Sequence, residues 1–186
     1  MNKYNFKQVA KWFVDKYNED TNKEKSVLTK TKLHNLMYYA KGLFYVFQND
    51  SFFDGIFLVS NNGVKCKELA SLFSEKNDSL ENIFADEKPI TNVLVVVTLD
   101  FVYQKIGSIT EEKLAEIMKE EKLISGKEVS EKINEEKLAE DFRETYLQDE
   151  QTNKFNIMRD EIVDIISFMT YKKYDKAFRV LGQWLR

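Results

Sequence analysis

The sequence predicts a mainly α-helical, compact domain, with one short β-hairpin or strand pair near residues 52–65 and further helices at the C-terminal end. Breakers are scarce, since the 186 residues include one proline and six glycines, too few for a many-turned β-sandwich. Apolar residues recur at three- and four-residue spacing through most of the chain, which is typical of amphipathic helices. The exception is an apolar run at 56–59, followed by the turn signal Ser60-Asn-Asn-Gly63, because Asn-Gly tolerates positive φ.

The first two helices have clear start signals. Asn5 is placed to cap the first helix, and Gln8, three residues on, completes a capping box. Thr29 is the expected cap of a second, longer helix whose apolar stripe runs from Leu33 to Phe47. His34 lies beside the stripe and is interpreted as a structural or surface residue, the alternative being a catalytic base.

The predicted hairpin leads into a third helix through Glu68 and Phe73. Cys66 falls at the start of this helix, where the positive end of the helix dipole can lower a thiol pKa. No basic residue stands in register with it, so we interpret Cys66 as unreactive. Residues 77–88 are polar and loop-like, with a small apolar island at 80–84.

The run of valines and leucine at 93–97 leaves two alternatives open. Taken alone it suits a buried strand, whereas its continuation to Ile106 has helical spacing. Gly107 ends this element, and Ser108 with Glu111 forms a second capping box that opens a helix through Met118. The junction is similar to a tight helix-turn-helix corner, which is common in interaction modules and not specific to DNA.

Two more helical stretches are predicted towards the C-terminus. One follows Gly126 and runs through Ile133, Leu138, Phe142 and Tyr146. The other begins near Lys154, forms a helical C-terminal extension over 151–186 and exposes a basic face. We therefore expect a main domain over 1–150 with the extension packed on it.

Residue counts exclude several kinds of chemistry. One cysteine and one histidine cannot build a disulfide framework or a structural zinc site, so no metal is expected. No Gly-rich phosphate loop, H-E-x-x-H, G-x-S-x-G or C-x-x-C motif is present. We therefore expect that the protein is not an enzyme and that it binds no cofactor. No apolar run approaches the roughly 20 residues of a membrane span, and no secretory signal is seen, so we expect a cytoplasmic protein.

The net charge of −3 conceals a polarity along the chain. Residues 1–47 carry +5, 48–109 carry −4, 110–150 carry −7 and 151–186 carry +3. In the acidic third segment glutamates alternate with lysines, as on solvated helix faces. The lysines of the first segment are scattered, so nucleic acid is not the expected partner.

The stretch 28–42, which reads L-T-K-T-K-L-H-N-L-M-Y-Y-A-K-G, resembles the core helix of the SocA-like antitoxin family. This family is also called the Panacea domain and was formerly described as a phage-associated GepA-type protein. Residues 99–110 with Leu114 are similar to the family's helix, corner and following helix, which favours a helix for the valine run. Asn35 replaces the common lysine, and Gly63-Val64-Lys65 stands where the family has Gly-Pro-Val. The Thr-His and Pro-Trp signature is missing, and the resemblance covers roughly 4–146.

The resemblance implies a bacterial, non-catalytic protein that binds and neutralises a cognate toxin encoded by a neighbouring gene. Neutralisation would proceed by direct contact or by delivery to a Clp-type protease. We expect the exposed edge of the second helix, His34, Tyr38 and Lys41, to form the partner surface together with the turn at Gly63 and Val64. One alternative is a nucleic-acid-binding regulatory module of prophage or mobile-element origin, and another is a hydrolase that uses His34 or Cys66.

Overall fold

The computed structural model describes residues 3–20, 28–48, 50–75 and 78–144. This part of the chain contains seven helices and one two-stranded antiparallel sheet, so the prediction of a mainly α fold with one hairpin is confirmed. In chain order the elements are α1 (Phe6–Glu19), α2 (Lys30–Gln48), β1 (Phe57–Ser60), β2 (Gly63–Cys66), α3 (Lys67–Glu75), α4 (Leu80–Phe84), α5 (Val93–Ile106), α6 (Glu111–Glu120) and α7 (Glu135–Arg143).

Residues Met1–Asp141 form one compact unit and Phe142–Arg186 form a second. The candidate site lies in the first unit. The predicted domain boundary at 150/151, Tyr146 and the predicted helical extension over 151–186 lie outside the described residues.

Local start signals set the first two helices. The amide of Asn5 donates to Gln8 Oε1 over 3.1 Å and the Asn5 side chain accepts from the Gln8 amide, which completes the predicted capping box. Asn5 Oδ1 also accepts from the Lys7 amide. Thr29 Oγ1 accepts from the Lys32 amide over 3.1 Å, as a cap of α2 should. Both predicted caps are confirmed, and α1 buries Val9 and Phe13 against the rest of the unit.

The hairpin pairs Phe57 with Cys66 and Ser60 with Gly63, which leaves a two-residue turn at 61–62. Gly63 has a φ of +113°, a conformation that side chains disfavour. Asn35 of α2 fastens this turn, because its Nδ2 donates to the Asn62 carbonyl over 3.1 Å and its Oδ1 accepts from the Val64 amide over 3.0 Å. A side chain at Gly63 would collide with Asn35, so both the backbone angle and the close approach require glycine.

The other edge of β1 is covered by a third extended segment. Val59 exchanges main-chain hydrogen bonds with Glu131 and Ser130, and the Ile133 amide donates to Phe57. The prediction of a helix through Ile133 is therefore wrong at its start, because α7 begins at Glu135. The apolar side chain of Ile133 is buried beside the hairpin instead of on a helix face.

The valine run forms the helix α5, as the resemblance suggested. Asn92 caps it by accepting from the amides of Leu94 and Val95, and burial of Val95, Leu99 and Val102 follows helical spacing. The valines are helical because the buried stripe continues for three turns, which outweighs their local β preference.

Two predicted details are wrong. The cap of α6 is Thr110 and not Ser108, because Thr110 Oγ1 accepts from the Lys113 amide. The apolar island at 80–84 is the short helix α4, capped by Ser79 and held by burial of Ile83 and Phe84.

The helix α2 occupies the centre of the unit. It contacts α1, α5, α6 and β2, and every residue from 32 to 44 is buried. Aromatic rings in edge-on or tilted contact fill the space between its C-terminal half and the hairpin, at Tyr38, Phe44, Phe52, Phe53 and Phe57. No single helix among the described residues has the length and hydropathy to cross a membrane, and α5 with α6 reaches them only as a pair bent by 106°.

We expect Gly63→Ala to destabilise the unit strongly. The new Cβ would lie 2.7 Å from Asn35 Oδ1 at a φ of +113°, so steric repulsion adds to backbone strain, and the expected loss is about 2–4 kcal/mol in urea unfolding. Gly126→Ala is the matched control, because Gly126 has a φ of +73° and nothing lies near its Cβ position. This control should lose only about 1 kcal/mol. Equal losses in the two variants would contradict a role for Asn35.

Candidate functional site

The structure brings together the five predicted partner-binding residues where α2 packs against the hairpin. They do not form an exposed edge, because His34, Tyr38 and Lys41 are 6%, 0% and 1% exposed, and Gly63 and Val64 are also buried. The prediction of exposure is therefore wrong. It assumed that α2 has a solvent face, whereas the hairpin and the neighbouring helices surround it.

His34 and Asn35 satisfy one edge of the hairpin. The amides of Val64 and Cys66, two residues apart on β2, point to the same edge of the strand. Asn35 Oδ1 accepts from Val64 over 3.0 Å, and His34 Nδ1 accepts from Cys66 over 3.1 Å. We call this pair of side chains the hairpin clamp. Without it, two buried amides would lack hydrogen bonds, which costs about 1–3 kcal/mol each.

His34 and Cys66 are adjacent but do not form an activated pair. The imidazole Nδ1 accepts from the main chain of Cys66, while Cys66 Sγ lies 3.5 Å from Glu68 Oε2 as a donor. Burial raises the pKa of the Cys66 thiol to about 12. Burial, with a contribution from Lys65, lowers the pKa of His34 to about 4. A nucleophilic cysteine is activated by a lowered pKa or by an adjacent base such as an imidazole. Here the thiol pKa is raised, the carboxylate beside the sulfur adds to that increase, and the imidazole Nδ1 accepts from the main chain.

Lys41 is a buried cation between the hairpin and α7. Its Nζ donates to the Gly55 carbonyl over 2.7 Å and pairs with Glu135 Oε1 at 2.9 Å. The rings of Phe53 and Phe57 lie 5.4 and 5.8 Å from the ammonium, within the range of cation–π attraction. Lys41 therefore fixes the loop before β1 and attaches it to the first turn of α7.

Lys32 has a comparable role that the sequence interpretation missed. Its Nζ donates to the Gly107 carbonyl over 2.7 Å, and the hydroxyl of Tyr17 donates to the same oxygen over 2.6 Å. Burial lowers the pKa of Lys32 to about 8. Two donors thus hold the C-terminal end of α5. The position of Lys32 in the sequence could have revealed its burial, since Lys32 lies four residues before Leu36 on the apolar side of α2.

Two carboxylates lie beside the tyrosines of α2. The hydroxyl of Tyr39 donates to Glu121 Oε1 over 2.9 Å. Burial raises the pKa of Tyr38 well above its usual value, and the nearby charges of Glu121 and Asp141 add to the effect. Tyr38 is therefore a neutral hydroxyl inside the core. Within the described ranges, no three histidine, cysteine or acidic residues are grouped so that they could hold a metal ion.

The corner between α5 and α6 has the angle of a helix-turn-helix, at 106°. Its second helix, however, has four glutamates and two lysines. Glu112, Glu116 and Glu120 are exposed on it. A helix with this charge repels phosphate groups, so the electrostatics of the corner disfavour docking on nucleic acid.

The single histidine of the chain allows a direct test of the hairpin clamp. Since the pKa of His34 falls from 6.5 to about 4 on folding, the unfolded state binds more protons between these values. The free energy of unfolding is therefore highest above pH 6.5 and decreases as the pH drops towards 4. At pH 5 the decrease is about 2 kcal/mol. The imidazole resonance in proton NMR should titrate near pH 4.

His34→Asn is the control for this titration, because Asn keeps a neutral acceptor near the Cys66 amide. Its stability should change less between pH 7 and pH 5 than that of the wild type. An imidazole midpoint at or above 6.5 would contradict the buried, accepting histidine.

Substitution of Lys41 tests the buried ion pair. Lys41→Met should lose about 2–3 kcal/mol in urea unfolding, because the Gly55 carbonyl and Glu135 lose their cation. Glu135→Gln keeps a neutral acceptor at a carboxylate that is 32% exposed and should lose only about 1 kcal/mol. The control is Lys113→Met at the exposed Lys113–Glu116 pair, expected to change stability by less than about 0.5 kcal/mol. A similar small effect of Lys41→Met would contradict the assigned role.

Comparisons of the chain with protein-family models, with curated proteins and with solved structures found no match. The likeness to SocA-like antitoxins therefore rests on the sequence motifs alone.

Proposed function

We propose that this protein is a non-catalytic, antitoxin-like binding protein that neutralises a cognate toxin encoded by a neighbouring gene. Neutralisation would occur by direct contact or by delivery of the toxin to a Clp-type protease. The resemblance of residues 28–42 to the SocA-like core helix is the starting point for the proposal.

One structural observation carries the proposal further. The polar side chains of that stretch, Lys32, His34, Asn35 and Lys41, are buried, and each holds a main-chain group of another segment. Catalysis by one of these groups would require it to reach a substrate with a suitable pKa. Here the same groups hold the loops and helix ends around α2 in place. A rigid scaffold of this kind suits a protein that acts by presenting a binding surface.

The alternative of a nucleic-acid-binding module has less support. The described surface of the corner is acidic at α6, and no stripe of exposed lysines interleaved with aromatic side chains accompanies it. Binding to DNA through such a surface would need cations to replace condensed counterions. We therefore favour a protein partner over a nucleic acid.

Co-expression tests the proposed function. The neighbouring open reading frame is induced in a bacterial host, alone and together with this chain, and colony formation is measured. We expect the neighbour to arrest growth and the intact chain to restore it, while a version with an early stop codon does not. A harmless neighbour, or toxicity that the chain does not relieve, would contradict the proposal. Immunoblotting of the toxin in hosts with and without Clp proteases distinguishes binding from degradation, because only degradation lowers the toxin level.

A further inference from the structure

Residues 131–133 run beside β1 and form one antiparallel bridge with it, and their outer edge is open at Lys132. This residue faces Leu58 across an antiparallel bridge, but the hydrogen bonds that flank the bridge come from Glu131 and Ile133. In an antiparallel pair, the amide and carbonyl of the residue between such bonds point away from the neighbouring strand. In the described part of the chain, neither group of Lys132 has a hydrogen-bond partner, and the residue is exposed.

An open cleft of about 720 Å³ adjoins this edge. It is lined by Lys132 and Asn134, by Tyr45 of α2 and by the beginning of α7. Val129 lies in the turn before this segment, where Ser130 has a φ of +74°. Its side chain is 56% exposed and is one of two large apolar side chains that the described residues expose so strongly. The edge thus combines open main-chain groups, adjoining space and an exposed apolar contact, which are the elements of strand addition.

We propose that the edge at Lys132 is the site where an extended segment of the protein partner adds to the sheet as a further strand. The identity of that partner as a toxin rests on the proposed function, whereas strand addition rests on the edge itself. The main-chain groups of Lys132 supply the pairing, and the cleft beside Asn134 and Tyr45 receives a side chain of the added segment.

The charge of Lys132 favours a different protein over a second copy of this chain as the added strand. Two copies paired symmetrically at this edge would place Lys132 opposite Lys132, and like charges directly opposite are destabilising. A lysine on an edge strand is also a common protection against self-pairing. An acidic residue of a partner opposite Lys132 is instead favourable. Glu136 also lines the cleft and has no ion pair in the described ranges, so it complements a basic residue of the added segment.

A defined peptide probe tests this edge. A phage-displayed library of random linear peptides is selected on the intact wild-type chain, and the enriched peptides are measured by calorimetry. Lys132→Pro removes the outward amide without breaking an internal hydrogen bond, and Lys132→Ala is the matched control, because it removes the same side chain and keeps the amide. We expect binding to Lys132→Pro to be about tenfold weaker than binding to Lys132→Ala.

Hydrogen exchange in the wild-type protein tests the same edge even if the proline variant does not fold. In the wild type, the Lys132 amide should exchange more slowly when an enriched peptide is bound. The proposal is overturned if no peptide is enriched, if Lys132→Pro and Lys132→Ala bind equally, or if exchange at Lys132 is unchanged. Relief of toxicity by the wild type, measured separately by co-expression, would uphold the proposed function even then. Peptide binding at the edge without relief of toxicity would uphold strand addition alone.

Discussion

The burial of α2 is the constraint on which the rest of the unit depends. A central helix surrounded from residue 32 to residue 44 is usually apolar all round, yet this one carries two lysines, a histidine and an asparagine. Each buried polar group requires a hydrogen bond, and a buried charge requires more. The fold meets this requirement by directing each side chain to a main-chain group of another segment, at Gly107, Cys66, Asn62, Val64 and Gly55. The helix that fills the core therefore also fixes the loops around it.

Features that depend on neighbouring residues in the chain were predictable. The caps at Asn5 and Thr29 and the Asn-Gly turn follow from short-range hydrogen bonding and backbone preferences. The late start of α7 has a different cause. Ile133 has an apolar spacing that fits a helix, but pairing of its amide with Phe57 holds it extended. A bond between residues so far apart in the chain leaves no trace in local periodicity.

The candidate site was predictable in its members and not in its environment. The five predicted residues do meet where α2 packs against the hairpin, because they belong to one helix and the turn that contacts it. Their burial was missed because a charged residue such as Lys41 is normally exposed. Only the tertiary structure shows that the Gly55 carbonyl and Glu135 are present to receive its charge. The same reasoning applies to Lys32, whose partner at Gly107 lies 75 positions away in the chain.

The polar side chains of α2 point into the interior, and this limits what the resemblance of residues 28–42 implies. In this chain the residues that carry the likeness are engaged with the interior, so they specify how α2 holds its hairpin and its corner. A relative that shared them would share this scaffold, and its partner would still be chosen by the outer surfaces. The extended segment at 131–133 is such a surface, because it covers β1 on one side and leaves the main chain of Lys132 open on the other. Under the proposed strand addition, the buried side chains of α2 hold the scaffold and Lys132 contacts the partner, so a different partner could be bound without disturbing the buried lysines.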